Sequence, residues 1–143
     1  DHVFGYTVIN DVSARDCRRA GQWIVSKGQD SFAPMGPAIV TRDEITDPQN
    51  LNMWTRVNGV EKQNSNTRFM LFNVAQLIAD ISGVMTLEPG DIIATGTPPG
   101  VGMGKKPDPI YLKPDDVMTV GIEKLGTQTQ QVRDWSSARR GQA

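Results

Sequence analysis

The sequence predicts an α+β domain rich in β structure, and three observations carry that prediction. Fourteen glycines and nine prolines make up about 16% of the 143 residues, against about 12% in an average protein, so turns are frequent and elements short. Asn58-Gly59 separates two runs of alternating character, the signature of a tight β-hairpin. One stretch alone stands out with the apolar period of a helix.

Taken in order, Val3 to Ile9 has apolar residues on both faces, which predicts a strand buried on both sides. Asn10 to Asp30 is polar, broken only by Trp23-Ile24-Val25. Pro34-Met-Gly-Pro37 is turn chemistry, and Ala38-Ile39-Val40 reads as a short strand. Leu51, Met53, Thr55 and Val57 alternate with polar or amphipathic neighbours. A type I′ turn at Asn58-Gly59 then sets Val57 opposite Val60 and Arg56 opposite Glu61, a favourable pair of opposite charges. Val74, Leu77, Ile78 and Ile81 fall at helical spacing, with Asn73 to cap the helix and Gly83 to end it. Leu87-Glu-Pro-Gly-Asp91 is a tight turn leading into Ile92-Ile93-Ala94, read as a short buried strand. Thr95 to Pro114 is a Gly/Pro-rich loop, Val117 to Glu123 alternates cleanly, and Gly126 to Val132 is a polar, edge-like strand. The expected organisation is one core over residues 1–135 with a loose tail, 136–143.

Composition removes several function classes. With 38% apolar residues, 22% charged residues and a formal net charge of −1, neither a disordered segment nor a nucleic-acid binder is indicated. No apolar run approaches the roughly 18 residues of a membrane span, and the start does not read as a signal peptide. The single cysteine, Cys17, cannot form an intramolecular disulfide and fits a reducing compartment, so a cytoplasmic location is expected. The chain opens at Asp1 without an initiator methionine, so a piece of something longer is expected.

Asp11 stands where the first strand opens into a loop, held at one end and exposed at the other. A hard divalent cation needs that setting, although an Asp so placed is more often a turn or cap residue. Nucleophilic catalysis has little support: there is no Gly-x-Ser-x-Gly elbow, and His2 is the sole imidazole available to Cys17. Gly100-Val-Gly-Met-Gly-Lys105-Lys106 misses the P-loop pattern, so its glycines serve a sharp turn or a close backbone approach to a ligand. Asp11, Arg15, Asp16 and Arg18 lie close together, Lys27 follows Trp23, and Thr95 and Thr97 sit beside glycines. Taken singly these are an Arg15–Asp16 ion pair, a surface lysine and turn threonines. Together they offer a carboxylate, cations and hydroxyls suited to an oxyanionic substrate held on a divalent ion.

Gly5-Tyr-Thr-Val-Ile-Asn-Asp-Val-Ser-Ala-Arg-Asp16, Trp23 with Ser26-Lys-Gly-Gln-Asp-Ser-Phe32, Gly36-Pro37, Val57-Asn-Gly59 and the block from Met85 to Gly102 occur in the order of the fumarylacetoacetate hydrolase family, which the chain resembles to about Val132. The resemblance implies a mixed β-roll with few helices, N-terminally incomplete here, that commonly forms a homodimer. It implies a small-molecule 2-oxo acid substrate, no nucleic acid and no membrane, and Mg²⁺ or Mn²⁺ as cofactor. By position, Asp11 matches the metal-binding aspartate, Lys27 a catalytic lysine beside the metal, and Thr97 a substrate-binding threonine. Arg18 falls where several members carry a substrate-facing glutamine, and Ser31 at a position tied in some members to a second cation. The family's Glu-x-Glu ligands and His-x-x-Glu lid precede the first strand and are not in this sequence. The implied activity is hydrolysis of a C–C bond in a 2,4-dioxo acid of the acylpyruvate type, with a place in aromatic catabolism. The alternatives are an isomerase or decarboxylase of related 2-oxo acids and a non-catalytic remnant or structural domain.

Overall fold

The computed structural model describes residues 2–135. Its centre is a four-stranded antiparallel sheet in the order β4-β3-β5-β6, formed by β3 (Asn52–Val57), β4 (Val60–Asn66), β5 (Val117–Ile122) and β6 (Gly126–Gln131). A two-stranded ladder pairs β1 (Gly5–Tyr6) with β2 (Val40–Thr41). Two α-helices complete the elements used below, the single-turn α1 (Ile24–Lys27) and α2 (Val74–Ser82).

The hairpin forms in the expected register, with Val57 opposite Val60 and Arg56 opposite Glu61. Asn58 and Gly59 have φ of 52° and 76°, the left-handed pair that a type I′ turn requires. The charges across the hairpin nevertheless take other partners. Arg56 stacks on Trp54 at 4.8 Å, and Glu61 accepts a hydrogen bond from the Asn64 amide at 3.0 Å. Asn58 also ties the turn to β5: its amide donates to Asp116 and its oxygen accepts from the Val117 N–H.

Helix α2 begins with a full capping box between Asn73 and Gln76. Gly83 ends it in right-handed geometry (φ −71°), so this stop does not use glycine's left-handed freedom. At the far edge of the sheet, β6 is the polar edge strand its sequence predicts.

Three strand expectations are corrected, and the first is Ala38-Ile39-Val40, of which only Val40 joins a strand while Ile39 is exposed. Only Gly5 and Tyr6 of the first apolar run join a ladder, with one further bridge from Ile9 to Met35, and Phe4 is 74% exposed. Ile92-Ile93-Ala94 is not a strand, and Ile92 is exposed. An apolar run pairs only when a neighbouring backbone edge is presented to it, and among the described residues none reaches 92–94. The preceding turn does form, with Asp91 N–H donating to Glu88 O and the Asp91 carboxylate accepting from Glu88 N–H. The expected tail, 136–143, lies outside the described residues.

The buried core is small: Val8, Ile45, Leu51, Val120 and Leu125, with Tyr6, Val40 and Ile122 packed against it. Each such side chain contributes about 1.5–3 kcal/mol when fully buried. Elsewhere large apolar groups stand in the open, including Leu71 at 94% exposure, and α2 buries none of its residues. No helix among the described residues is long and apolar enough to cross a membrane.

Candidate active site

Val8 is fully buried, and the chain leaves the core immediately after it. Asn10 fixes the exit: its N–H donates to Pro34 O at 3.0 Å, and its side-chain amide reaches Gln130 on β6 at 3.3 Å. Asp11 follows with its side chain 45% exposed, and its carboxylate is ion-paired with the Lys27 ammonium. Lys27 is at the end of α1, where Ser26 is the anchor. That serine is 1% exposed, its hydroxyl donates to Trp23 O, and its carbonyl accepts the Ala14 N–H at 2.9 Å. One buried residue therefore joins the loop after Asp11 to the helix that carries Lys27.

Between these arms the chain reverses tightly. Gln22 N–H donates to Arg19 O at 2.7 Å, the two residues form an antiparallel bridge, and Gly21 has φ +76°. An L side chain is strained there, which is why the sharp turn carries glycine. Residues 18 and 23 flank the bridged pair, and the Arg18 guanidinium lies 4.0 Å from the centre of the Trp23 ring. Arg15 and Lys27 approach the same ring at 5.9 Å and 5.7 Å. The expected Arg15–Asp16 ion pair does not form, whereas Lys27 and Asp11 do pair.

Thr97 lies on the Gly/Pro-rich loop. The Gln63 amide of β4 donates to Thr97 Oγ1 at 2.9 Å and to Pro98 O at 2.8 Å. Because the Thr97 oxygen accepts, its own proton stays available for an anionic ligand. The glycines of this loop serve close packing: a side chain at Gly100 would meet the Lys62 backbone, and one at Gly102 would meet the Ile110 carbonyl.

No hydrogen bond among the described residues joins Thr97 to Asp11 or Lys27, yet the sheet puts both loops over one face. Gln63 pairs with Thr55, Thr55 with Val120, and Val120 with Gln128. Directly paired residues point to the same side of a sheet. Gln63 holds the Thr97 loop, while the Gln128 amide donates to Val8 O and Pro34 O beside the Asp11 loop. The two anchors are three strand spacings apart, about 14 Å. Both loops are thus fastened from one side of the sheet. Ser31 lies in an exposed left-handed turn (φ 65°), and no hydrogen bond joins it to Asp11 or Lys27.

The donor set can be tested against a divalent cation. Asp11 supplies one hard, half-exposed oxygen donor, but the described residues contain no group of three His, Cys, Asp or Glu side chains able to enclose a metal ion. They fit one corner of such a site and do not complete it. Two roles escaped the sequence reading: Ser26 as the buried link between the arms, and Gln63 as the clamp on Thr97. Two hollows beside α2, one lined by Phe72, Gln76, Leu77 and Asp80 and the other by residues that include Met85, Asp91 and Ile92, include none of the site residues.

Residues 1–133 match the profile described as fumarylacetoacetate (FAA) hydrolase C-terminal. The chain belongs to the fumarylacetoacetate hydrolase family. A 2,4-didehydro-3-deoxy-L-rhamnonate hydrolase from Sphingomonas sp. (strain SKA58) is 58% identical over 135 residues, covering 93% of this chain and 47% of its own length. A fumarylacetoacetate hydrolase structure from psychrophilic Exiguobacterium antarcticum superposes with a TM-score of 0.88 at 49% identity, over 92% of this chain and 47% of that one. A maleylpyruvate hydrolase from Sphingobium sp. SYK-6, in complex with manganese(II) and pyruvate, has a TM-score of 0.76 at 38% identity over 91% and 44% of the two chains. The chain thus spans about half the length of the family relatives it matches. The relatives named here are hydrolases, one of them in complex with manganese(II) and pyruvate.

Proposed function

We propose that the protein containing this chain hydrolyses a C–C bond in a 2,4-dioxo acid of the acylpyruvate type, with Mg²⁺ or Mn²⁺. The observation that carries this reading is the Asp11–Lys27 pair at the mouth of the first strand, over the same sheet face as Thr97. Asp11 is one ligand of the cation in this reading, and the remaining carboxylates lie outside residues 2–135. When bound, the cation supplies Lewis-acid stabilisation of negative charge on the 2-oxo acid end.

This chain's own residues position the substrate and manage charge. Thr97, with its oxygen occupied by Gln63, donates its proton to the substrate carboxylate region. Lys27 sits on the Asp11 carboxylate and presents its ammonium where water attacks the C4 carbonyl. As the C3–C4 bond breaks, that charge stabilises the enolate left on the three-carbon fragment. Protonation at C3 gives pyruvate or a close relative, and the acyl half leaves as a second acid. The same reading carries a homodimer, checked by light scattering.

The test is product analysis. The full-length protein should convert an acylpyruvate to one equivalent of pyruvate and one of the acid, and a chelator should stop the reaction. An isomeric product with no water consumed, or no turnover with either metal, would overturn the reading.

A further inference from the structure

Ile92, Ile93 and Ala94 form a gap in the backbone hydrogen bonding of the chain. The segment is pinned at both ends, by the turn at 88–91 before it and by the Gln63 amide on Thr97 and Pro98 after it. Between those points none of the three residues makes a backbone hydrogen bond among the described residues. A polar loop meets such groups with water, but here the side chains are two isoleucines and an alanine, and Ile92 is 60% exposed. β-Branched residues beside an open row of N–H and C=O groups make an edge that another strand can join.

The surface next to this edge is apolar as well. Ile92 and Ile93 share a hollow of about 400 Å³ with Ile81 of α2, Met85 and Leu87. That is many times the roughly 30 Å³ of a water molecule, so it takes whole side chains. Val84 is 80% exposed beside it, and α2 buries no residue. A continuous apolar patch with an unpaired backbone edge marks an interface. The family relatives are about twice as long as this chain, so a comparable length of polypeptide is available to cover it. A strand of the same polypeptide meets the edge at a high effective concentration, whereas a second copy loses its free translation and rotation on associating.

We infer that a β-strand from the part of the full-length protein beyond this chain pairs with residues 92–94 and lays alternate apolar side chains into the hollow beside α2. The inference goes beyond the proposed reaction and stands or falls without it.

Two measurements on the full-length protein test it. With the photoreactive p-benzoylphenylalanine in place of Ile92, irradiation should cross-link within one polypeptide. The product should run as a monomer on a denaturing gel, with the linked peptide mapping outside this chain. In the unsubstituted protein, amide hydrogen exchange at residues 92–94 should be slowed about 100-fold or more relative to an unstructured peptide, with no change on dilution. Exchange at the unstructured rate would mean an open edge and would overturn the inference. A covalent dimer, or protection lost on dilution, would make the occupant a second copy and overturn it too, as would a link that maps inside residues 2–135. The exchange measurement needs no substitution, so it decides the question even where the bulky residue disturbs folding. Neither readout depends on whether an acylpyruvate is cleaved.

Discussion

The Asp11 side and the Thr97 side of the site stand over one sheet face but are held by different means. Asp11 and Lys27 ride on short segments wired by backbone hydrogen bonds, with a fully buried valine behind them and a buried serine between them. Thr97 sits on an exposed loop fastened by a single side-chain amide from the middle of a strand. Backbone wiring resists substitution, since most side-chain changes leave it in place. A side-chain clamp can be removed with one mutation. Geometry on the first side is therefore robust and its chemistry fragile, whereas on the second side the geometry itself is the weak point.

Removing charge on the robust side should have the largest effect. Asp11→Ala leaves the backbone anchors intact, so circular dichroism should be unchanged while kcat/KM for an acylpyruvate falls about 10³-fold or more, with loss of metal dependence. Equal activity would separate Asp11 from the chemistry. Lys27→Met should lower kcat about 10²- to 10³-fold with KM little changed, because its charge matters most as the bond breaks. A purely structural lysine would instead show up as a lower melting temperature with kcat intact.

The clamp offers a sharper contrast. Gln63→Leu should lower kcat/KM about 5- to 10-fold, mostly through KM, with stability changed by less than about 1 kcal/mol. If that variant matched Lys27→Met in kcat, the two sides would not differ as described.

The smallest effect concerns the hairpin beneath the site. The Lys113 N–H and then the Asn58 amide hold the Asp116 carboxyl below the usual carboxylate range. A lowered folded-state value stabilises the fold above the unfolded value of about 3.9, and that contribution fades as pH falls through the folded value. Asp116→Asn should therefore melt slightly lower than the wild type at pH 7, with the gap closing below about pH 4. A gap independent of pH would remove the charge from the explanation.

Much of the frame was legible from local chemistry. Asn58-Gly59 specifies its turn, Asn73 and Gln76 specify the helix start, and the alternation after Val117 specifies β5. The apolar runs at 3–9 and 92–94 misled because hydrophobicity says that a segment can be buried without saying what covers it. Phe4 and Ile92 stand exposed among the described residues. Within the site, Asp11 and Lys27 were legible as a matched motif. The Trp23 cage was not, because it depends on how the turn at Gly21 folds residues 18 and 23 together. Gln63 reads in sequence as one polar residue of a hairpin strand, and only the sheet shows which loop it holds. The glycine that reverses the chain at position 21 was the available signal for the first of these.

The most direct test of the account is a crystal structure of the full-length protein with Mn²⁺ and pyruvate. The Asp11 carboxylate should lie on the ion, with Lys27 Nζ and Thr97 Oγ1 both within about 3.2 Å of the same bound ligand. A ligand held by the Asp11 side alone, with Thr97 turned away from it, would contradict a site shared across one sheet face.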